Sequence, residues 1–270
     1  MLAPLILYCV LGAIAGLLAG LLGIGGGAVI VPMLVFAFGW QGISPDVAMH
    51  MAIGTSLGSI IFTAFSSAMA HHKKGGVAWD VFRNIILGIL IGTYSGSFVA
   101  AQIPGKWLQL FFAFFLYYVA TSMLLNRKPS PTRTLPGFAG MTCAGLVIGG
   151  VSSLVGIGGG TLSVPFLVWH NVDIRRAIGT SSSIGIPIAV AGCLGYITNG
   201  WGVPELPEYT LGYLYLPALA GIVAVSMLTA PVGASIAHRL PVPRLKKFFA
   251  CFLYVIATKL LYDALRAVFA

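Results

Sequence analysis

Apolar runs of about 20 residues recur along the chain, each long enough to cross a ~30 Å hydrocarbon core as a helix. Inside a bilayer every backbone N–H and C=O must be paired within the protein, so such runs have to be helices. Only 8% of the 270 residues are charged, against about 25% in an ordinary soluble domain. The expectation is an all-α polytopic membrane protein. No stretch between the runs is long enough for a separate soluble domain.

The net charge of +9 matters only against that background. In a membrane protein it comes from loop Lys and Arg that set orientation. No loop carries a basic-aromatic platform, so nucleic acid is set aside as a partner. Residues 1–8 lack a basic n-region and a small-residue cleavage site, and they read as the start of a first membrane helix. Cys9, Cys143, Cys193 and Cys251 all fall in apolar segments and read as small buried apolar residues rather than metal or redox groups. No metal or cofactor is expected.

Two of the apolar runs are broken by the same motif. The first copy reads Leu22-Gly23-Ile24-Gly25-Gly26-Gly27-Ala28-Val29-Ile30-Val31-Pro32. The second reads Val155-Gly156-Ile157-Gly158-Gly159-Gly160-Thr161-Leu162-Ser163-Val164-Pro165. Other matches follow in the same order. Ala52-Ile53-Gly54-Thr55-Ser56 pairs with Ala177-Ile178-Gly179-Thr180-Ser181, and Phe111-Phe112-Ala113 pairs with Phe248-Phe249-Ala250. Collinear matches across half a chain indicate an internal duplication, a mark of transporters. The expected units are 1–126, a proline-rich basic linker over 127–136, and 137–270, all in one membrane domain.

Loop charge bears on how the halves are oriented. If each glycine-broken unit crosses once, the basic residues split seven against eight and show no bias. If each unit goes in and comes back as a hairpin, only Lys106, Lys259 and Arg266 lie on one face. The other twelve of the 15 basic residues share the opposite face, which obeys the positive-inside rule. The expectation is therefore two inverted repeats, each a glycine-broken helical hairpin plus three transmembrane helices. Both termini and the Glu205–Glu208 loop lie outside the cell, and the linker lies inside.

The glycine breaks are the leading candidate site. Backbone exposed at a break must be buried in protein or line a polar cavity. Glycine permits a left-handed bend and close approach to the amides. The short helices that follow present free N–H groups and the positive end of a dipole, near +0.5 charge. In an inverted repeat the two breaks meet near the midplane, so an anion is favoured there. The competing reading, close packing of hairpin arms, stays open. Gly25, Gly26, Gly27, Gly158, Gly159 and Gly160 are the candidates.

Thr55, Ser56, Thr180 and Ser181 are the next candidates, as hydroxyl donors to an oxyanion. Their alternative is a helix–helix hydrogen bond. Arg175 and Arg176 precede the second Gly-Thr-Ser segment, either as helix anchors or as a cytoplasmic entrance for anions. His50, His71, His72, His170 and His238 sit at segment ends and read as interfacial. Gly88, Gly92 and Gly96 share a helix face and read as a packing stripe. No Asp, Glu, Lys or Arg lies clearly in the middle of a span. This argues against a cation carrier and leaves no obvious proton-coupling residue.

The paired Gly-Ile-Gly-Gly-Gly runs, each followed by a proline, and the paired Ala-Ile-Gly-Thr-Ser segments resemble the TauE/SafE-type sulfite exporter family over nearly the whole chain. The resemblance implies transport of sulfite, sulfonates or related sulfur-containing or carboxylate anions across the bacterial cytoplasmic membrane. It also implies that the paired glycines and the Thr55-Ser56 and Thr180-Ser181 pairs are the functional positions. Thr161 and Ser163 stand where the first copy has Ala28 and Ile30, so the second half would supply more hydroxyls. The expectation is a secondary transporter working by alternating access, with an anion channel or an oxalate-like carboxylate permease as the alternative. No nucleotide-binding loop is present, and no enzymatic activity is expected.

Overall fold

The computed structural model describes residues 2–22, 26–125, 133–237 and 242–269, and its elements follow the hydropathy closely. Ten helices occupy the described residues: α1 (Leu2–Leu22), α2 (Gly27–Trp40), α3 (Pro45–Lys73), α4 (Trp79–Gln102), α5 (Gly105–Leu125), α6 (Phe138–Val155), α7 (Gly160–Trp169), α8 (Ile174–Asn199), α9 (Leu216–Ala237) and α10 (Val242–Phe269). Six are long and apolar enough to cross a membrane. The chain is an all-α polytopic membrane protein. Gly25, most of the linker (126–132) and His238 lie outside the described residues.

The two helices after the glycine breaks are short. α2 has 14 residues and α7 has 10, which at 1.5 Å per residue gives about 21 and 15 Å, less than the hydrocarbon thickness. The helices that follow them start on side-chain caps. Ser44 accepts the Asp46 amide at the head of α3, with Pro45 in the first helical position. Asp173 accepts the amides of Arg175 and Arg176 at 3.0 and 3.3 Å at the head of α8. Each satisfies N–H groups that a helix start leaves without an intrahelical partner.

Packing runs across the two halves. Gly12 and Gly16 of α1 lie on Ile222 and Ser226 of α9, so these helices are parallel. Gly88, Gly92 and Gly96 of α4 lie on Thr142, Leu146 and Gly150 of α6, also in parallel. The spacing-four glycine stripe is thus a seam between helix backbones, as its pattern indicated. Helices at equivalent places in the two halves are instead antiparallel. Along α3 and α8, Gly54 faces Tyr196, Leu57 faces Gly192, Ala64 faces Gly185, and Ser67 bonds Ser182 at 3.1 Å. Along α5 and α10, Gln109 donates to the Leu260 carbonyl at 3.0 Å. Farther along α5, Tyr117 bonds Thr258 at 2.7 Å and Thr121 bonds Tyr254 at 2.6 Å.

Four expectations need correction. Hydropathy predicts the ninth helix from about Leu211 to His238, kinked at Pro217 or Pro231. The chain instead forms a β-hairpin there, β1 (Thr210–Leu211) against β2 (Leu214–Tyr215). It turns at Gly212 with φ +56°, where the glycine lies directly on the Ile197 backbone. Pro217 then falls in the first turn of α9, where its missing N–H costs nothing. The helix expected from Ala177 starts at Ile174 on the Asp173 cap, so Arg175 and Arg176, which do precede Gly179-Thr180-Ser181, lie in its first turn. Among the histidines, His50 and His170 are buried, not interfacial. Cys143 and Cys251 are exposed on helix faces rather than buried.

Candidate functional site

Both short helices begin at a left-handed glycine. Gly26 has φ 73° before α2, and Gly159 has φ 75° before α7. An L side chain is strained at such a φ, which is why glycine stands at these two positions. Neither helix start has a side-chain cap. The Gly26 carbonyl takes the amides of Val29 and Ile30, and the Gly159 carbonyl takes those of Leu162 and Ser163. Among the described residues the Gly160 and Thr161 amides have no acceptor outside the helix ladder. The Thr161 hydroxyl is buried and also has no partner there. Gly160 and Thr161 are half-buried, and of these donors the Thr161 hydroxyl is the one shown to be buried; the first N–H groups of any helix lack an intrahelical partner.

The two breaks are in contact. A Cβ on Gly27 would come within 2.5 Å of the Gly156 carbonyl oxygen and 3.0 Å of the Ile157 Cα. Ser56 donates to the same Gly156 carbonyl at 2.9 Å and fastens the second break to α3. On the other side Ser181 bonds Ser163 at 2.7 Å, and Ser163 donates to the Gly159 carbonyl at 2.8 Å. Ser56 and Ser181 therefore both reach the α6–α7 unit, Ser56 at its bend and Ser181 through α7. The remaining neighbours are apolar. Ile60 lies against both Gly27 and Gly158, and Ile184 and Ile188 lie against Gly159. Sequence reasoning missed these isoleucines, because nothing in an apolar helix marks which side chain faces a bend.

Thr55 and Thr180 are placed differently. The Thr55 hydroxyl oxygen accepts the Tyr215 amide at 3.0 Å, and the Thr180 hydroxyl oxygen accepts the Ala78 amide at 2.8 Å. Each tethers the segment that leads into the fourth helix of the opposite half. The preceding glycines make room. Gly54 lies under the Tyr213 carbonyl and Gly179 under the Gly76 carbonyl. The Ala-Ile-Gly-Thr-Ser motif thus docks each half onto the other. Arg175 and Arg176 have exposed side chains, away from these bonds. Gly158 is near α8, its carbonyl oxygen 3.0 Å from where a Gly185 Cβ would stand.

The hairpin end of the molecule is closed by aromatic packing. Tyr8, Phe38 and Tyr215 form a triangle of edge contacts with centroids 5.7 to 6.4 Å apart. The Tyr8 hydroxyl is hydrogen-bonded to the Gln41 amide. Beside them, Tyr213 stacks on His50 with centroids 5.1 Å apart. Burial first, and the charge of Glu205 second, push the Tyr213 phenol above its ordinary pKa, so it stays neutral.

Comparison with known proteins agrees on one class. A family profile described as "Sulfite exporter TauE/SafE" matches residues 8–260. A "Probable membrane transporter protein" of Haemophilus influenzae is 41% identical, over 93% of this chain and 96% of its own length. A "Probable membrane transporter protein" of Methanocaldococcus jannaschii is 31% identical, over 84% and 83%. The YunE protein of Bacillus subtilis, with the same description, is 28% identical, over 96% and 98%. No solved structure matches the chain.

Proposed function

The chain belongs to the sulfite exporter TauE/SafE family of membrane transporters, and from that premise we propose that it moves a small oxyanion, sulfite or an organosulfonate, across the bacterial cytoplasmic membrane. The observation that carries the proposal is the pair of uncapped short-helix starts at Gly26 and Gly159, set on breaks that touch at Gly27 and Gly156. Each start contributes about half a positive charge without a charged side chain. Apolar neighbours such as Ile60 lower the local dielectric and strengthen that attraction. The anion is held by the amides of Gly25 to Gly27, Gly158 and Gly160 and by the Thr161 hydroxyl, which has no partner among the described residues, while Gly159, whose amide bonds the Ile157 carbonyl at 2.9 Å, sets the bend. Ser56 and Ser181 keep the breaks in place, and Thr55 and Thr180 hold the halves against each other.

The mechanism is alternating access between two inverted repeats, 1–126 and 137–270, joined by a cytoplasmic linker. Two facts support it: the equivalent helices α3/α8 and α5/α10 run antiparallel, and an inverted reading collects twelve of the 15 basic residues on one face. Arg175 and Arg176 stand at the cytoplasmic mouth on this reading, and both termini lie outside. The test is radiolabelled sulfite uptake into proteoliposomes. A carrier shows saturation and counterflow from sulfite-loaded vesicles. Flux that never saturates and shows no exchange identifies a channel instead. Absence of both sulfite and methanesulfonate flux overturns the substrate class.

A further inference from the structure

His50 is a buried ionisable side chain that the anion site does not use. It lies in α3 with 3% of its surface exposed. Its Nδ1 is 3.1 Å from the Asp46 carbonyl oxygen, and its Nε2 is 3.0 Å from the Ala100 carbonyl oxygen in the last turn of α4. Carbonyl oxygens only accept hydrogen bonds. A neutral imidazole has one N–H and one bare nitrogen, so it can serve one of these carbonyls and must turn a lone pair on the other. Only the ring protonated on both nitrogens donates to both. His170 provides the internal contrast. It is also buried, and its Nδ1 is 2.8 Å from the Phe166 carbonyl. Among the described residues its Nε2 faces no second acceptor, so a neutral ring suffices there.

The position of His50 links its proton to movement between the halves. The ring and both carbonyls belong to the first half, whereas Tyr213, stacked on the ring, belongs to the second. Separation of the halves at this end lifts Tyr213 away and opens the ring to water. The ionisable groups around it come from each neighbouring element. α3 contributes Asp46, one turn before the ring. α5 contributes Lys106, brought to this end where Gly105 packs on the Pro45 and Asp46 carbonyls. The hairpin loop contributes Tyr213, with Glu205 close enough to act on that phenol, and α8 contributes Tyr196, edge-on to Tyr213. The last two turns of α4 carry no ionisable side chain.

We propose that His50 is the proton-binding site of this transporter, holding a proton between two backbone carbonyls while Tyr213 covers it and exchanging it with water when the halves part. Net proton movement requires the ring to meet water on one side of the membrane in one state and on the other side in the second, and no other bond changes. This coupling role rests on the transport reading above, but the proton site itself can be tested without it.

The first measurement is nitrogen NMR of the full chain in lipid nanodiscs, with His71, His72, His170 and His238 replaced by Gln so that His50 gives the only imidazole signal. As pH is lowered through the range in which the chain stays folded, the expected spectrum passes from a neutral ring to one protonated on both nitrogens. A ring that stays in one neutral tautomer throughout overturns the proposal. The second measurement uses proteoliposomes with a trapped pH dye and methanesulfonate, whose charge is constant over this range. Wild-type chain is expected to move protons with methanesulfonate. In His50→Gln the proton flux falls at least about tenfold, while downhill methanesulfonate flux stays within about threefold. Equal proton flux in both proteins overturns the coupling role. If wild-type protein moves neither methanesulfonate nor sulfite, the substrate class fails, and the NMR result alone decides the proton site.

Discussion

The Thr55 hydroxyl and the Tyr215 amide, 160 residues apart, are hydrogen-bonded at 3.0 Å, and Thr180 and Ala78 repeat the bond at 2.8 Å with the halves exchanged. Two reciprocal bonds of this kind fix both halves at once. Replacing Thr55 or Thr180 by Val keeps the side-chain shape and strands the Tyr215 N–H, which is part-buried, or the Ala78 N–H, which is buried. The expected cost is about 1–3 kcal/mol for each. By thermal unfolding in nanodiscs this appears as a Tm lower by roughly 2–8 °C, and Thr→Ser at the same positions recovers most of it. An unchanged Tm in both Val variants would show that these bonds do not hold the halves together.

The glycines beside those threonines give a graded expectation. A Cβ at Gly54 meets the Tyr213 carbonyl oxygen at 3.1 Å, a contact that small shifts relieve. A Cβ at Gly179 collides with the Gly76 carbonyl itself. Gly179→Ala is therefore expected to destabilise by more than Gly54→Ala, by about 1–3 kcal/mol of overpacking. Folded yield and Tm of the two variants, measured side by side, check the order.

The α4–α6 seam supplies a third. Gly92 sits directly on the Leu146 backbone, so Gly92→Ala forces the helices apart and loses close contact along the whole parallel stripe. The expected result is a lower Tm and poor insertion. Substitution of the exposed Leu90 on the same helix by Ala is expected to have little effect.

Much of this architecture was legible in the chain, because hydropathy reports helices directly and duplication reports equivalent positions. The breaks, the short helices after them and the α4 glycine stripe all follow from local pattern. The hairpin at Thr210–Tyr215 did not. Tyr213 and Leu214 are apolar because they pack inside, and apolar character alone reads as the start of a helix. The role of Thr55 was equally hidden. Its partner is a backbone amide, which has no residue type to recognise. His50 read as interfacial because it lies near a helix start. Its burial comes from Tyr213 and the end of α4, both distant in sequence.

On the proposed function the donors at the start of α7 that lack partners among the described residues bind an oxyanion, and Thr161 gives the cleanest probe of that binding. Thr161→Val removes the unpartnered hydroxyl without touching a glycine or a hydrogen bond within the described residues. The measurement is the concentration dependence of sulfite uptake into proteoliposomes, for wild type, Thr161→Val and a control, Thr210→Val, in the hairpin loop. The expected result is saturable uptake with KM raised about tenfold in Thr161→Val, the loss of about 1.4 kcal/mol that one hydrogen bond to a charged ligand supplies, and no change in the control. An unchanged KM in correctly folded Thr161→Val would contradict it.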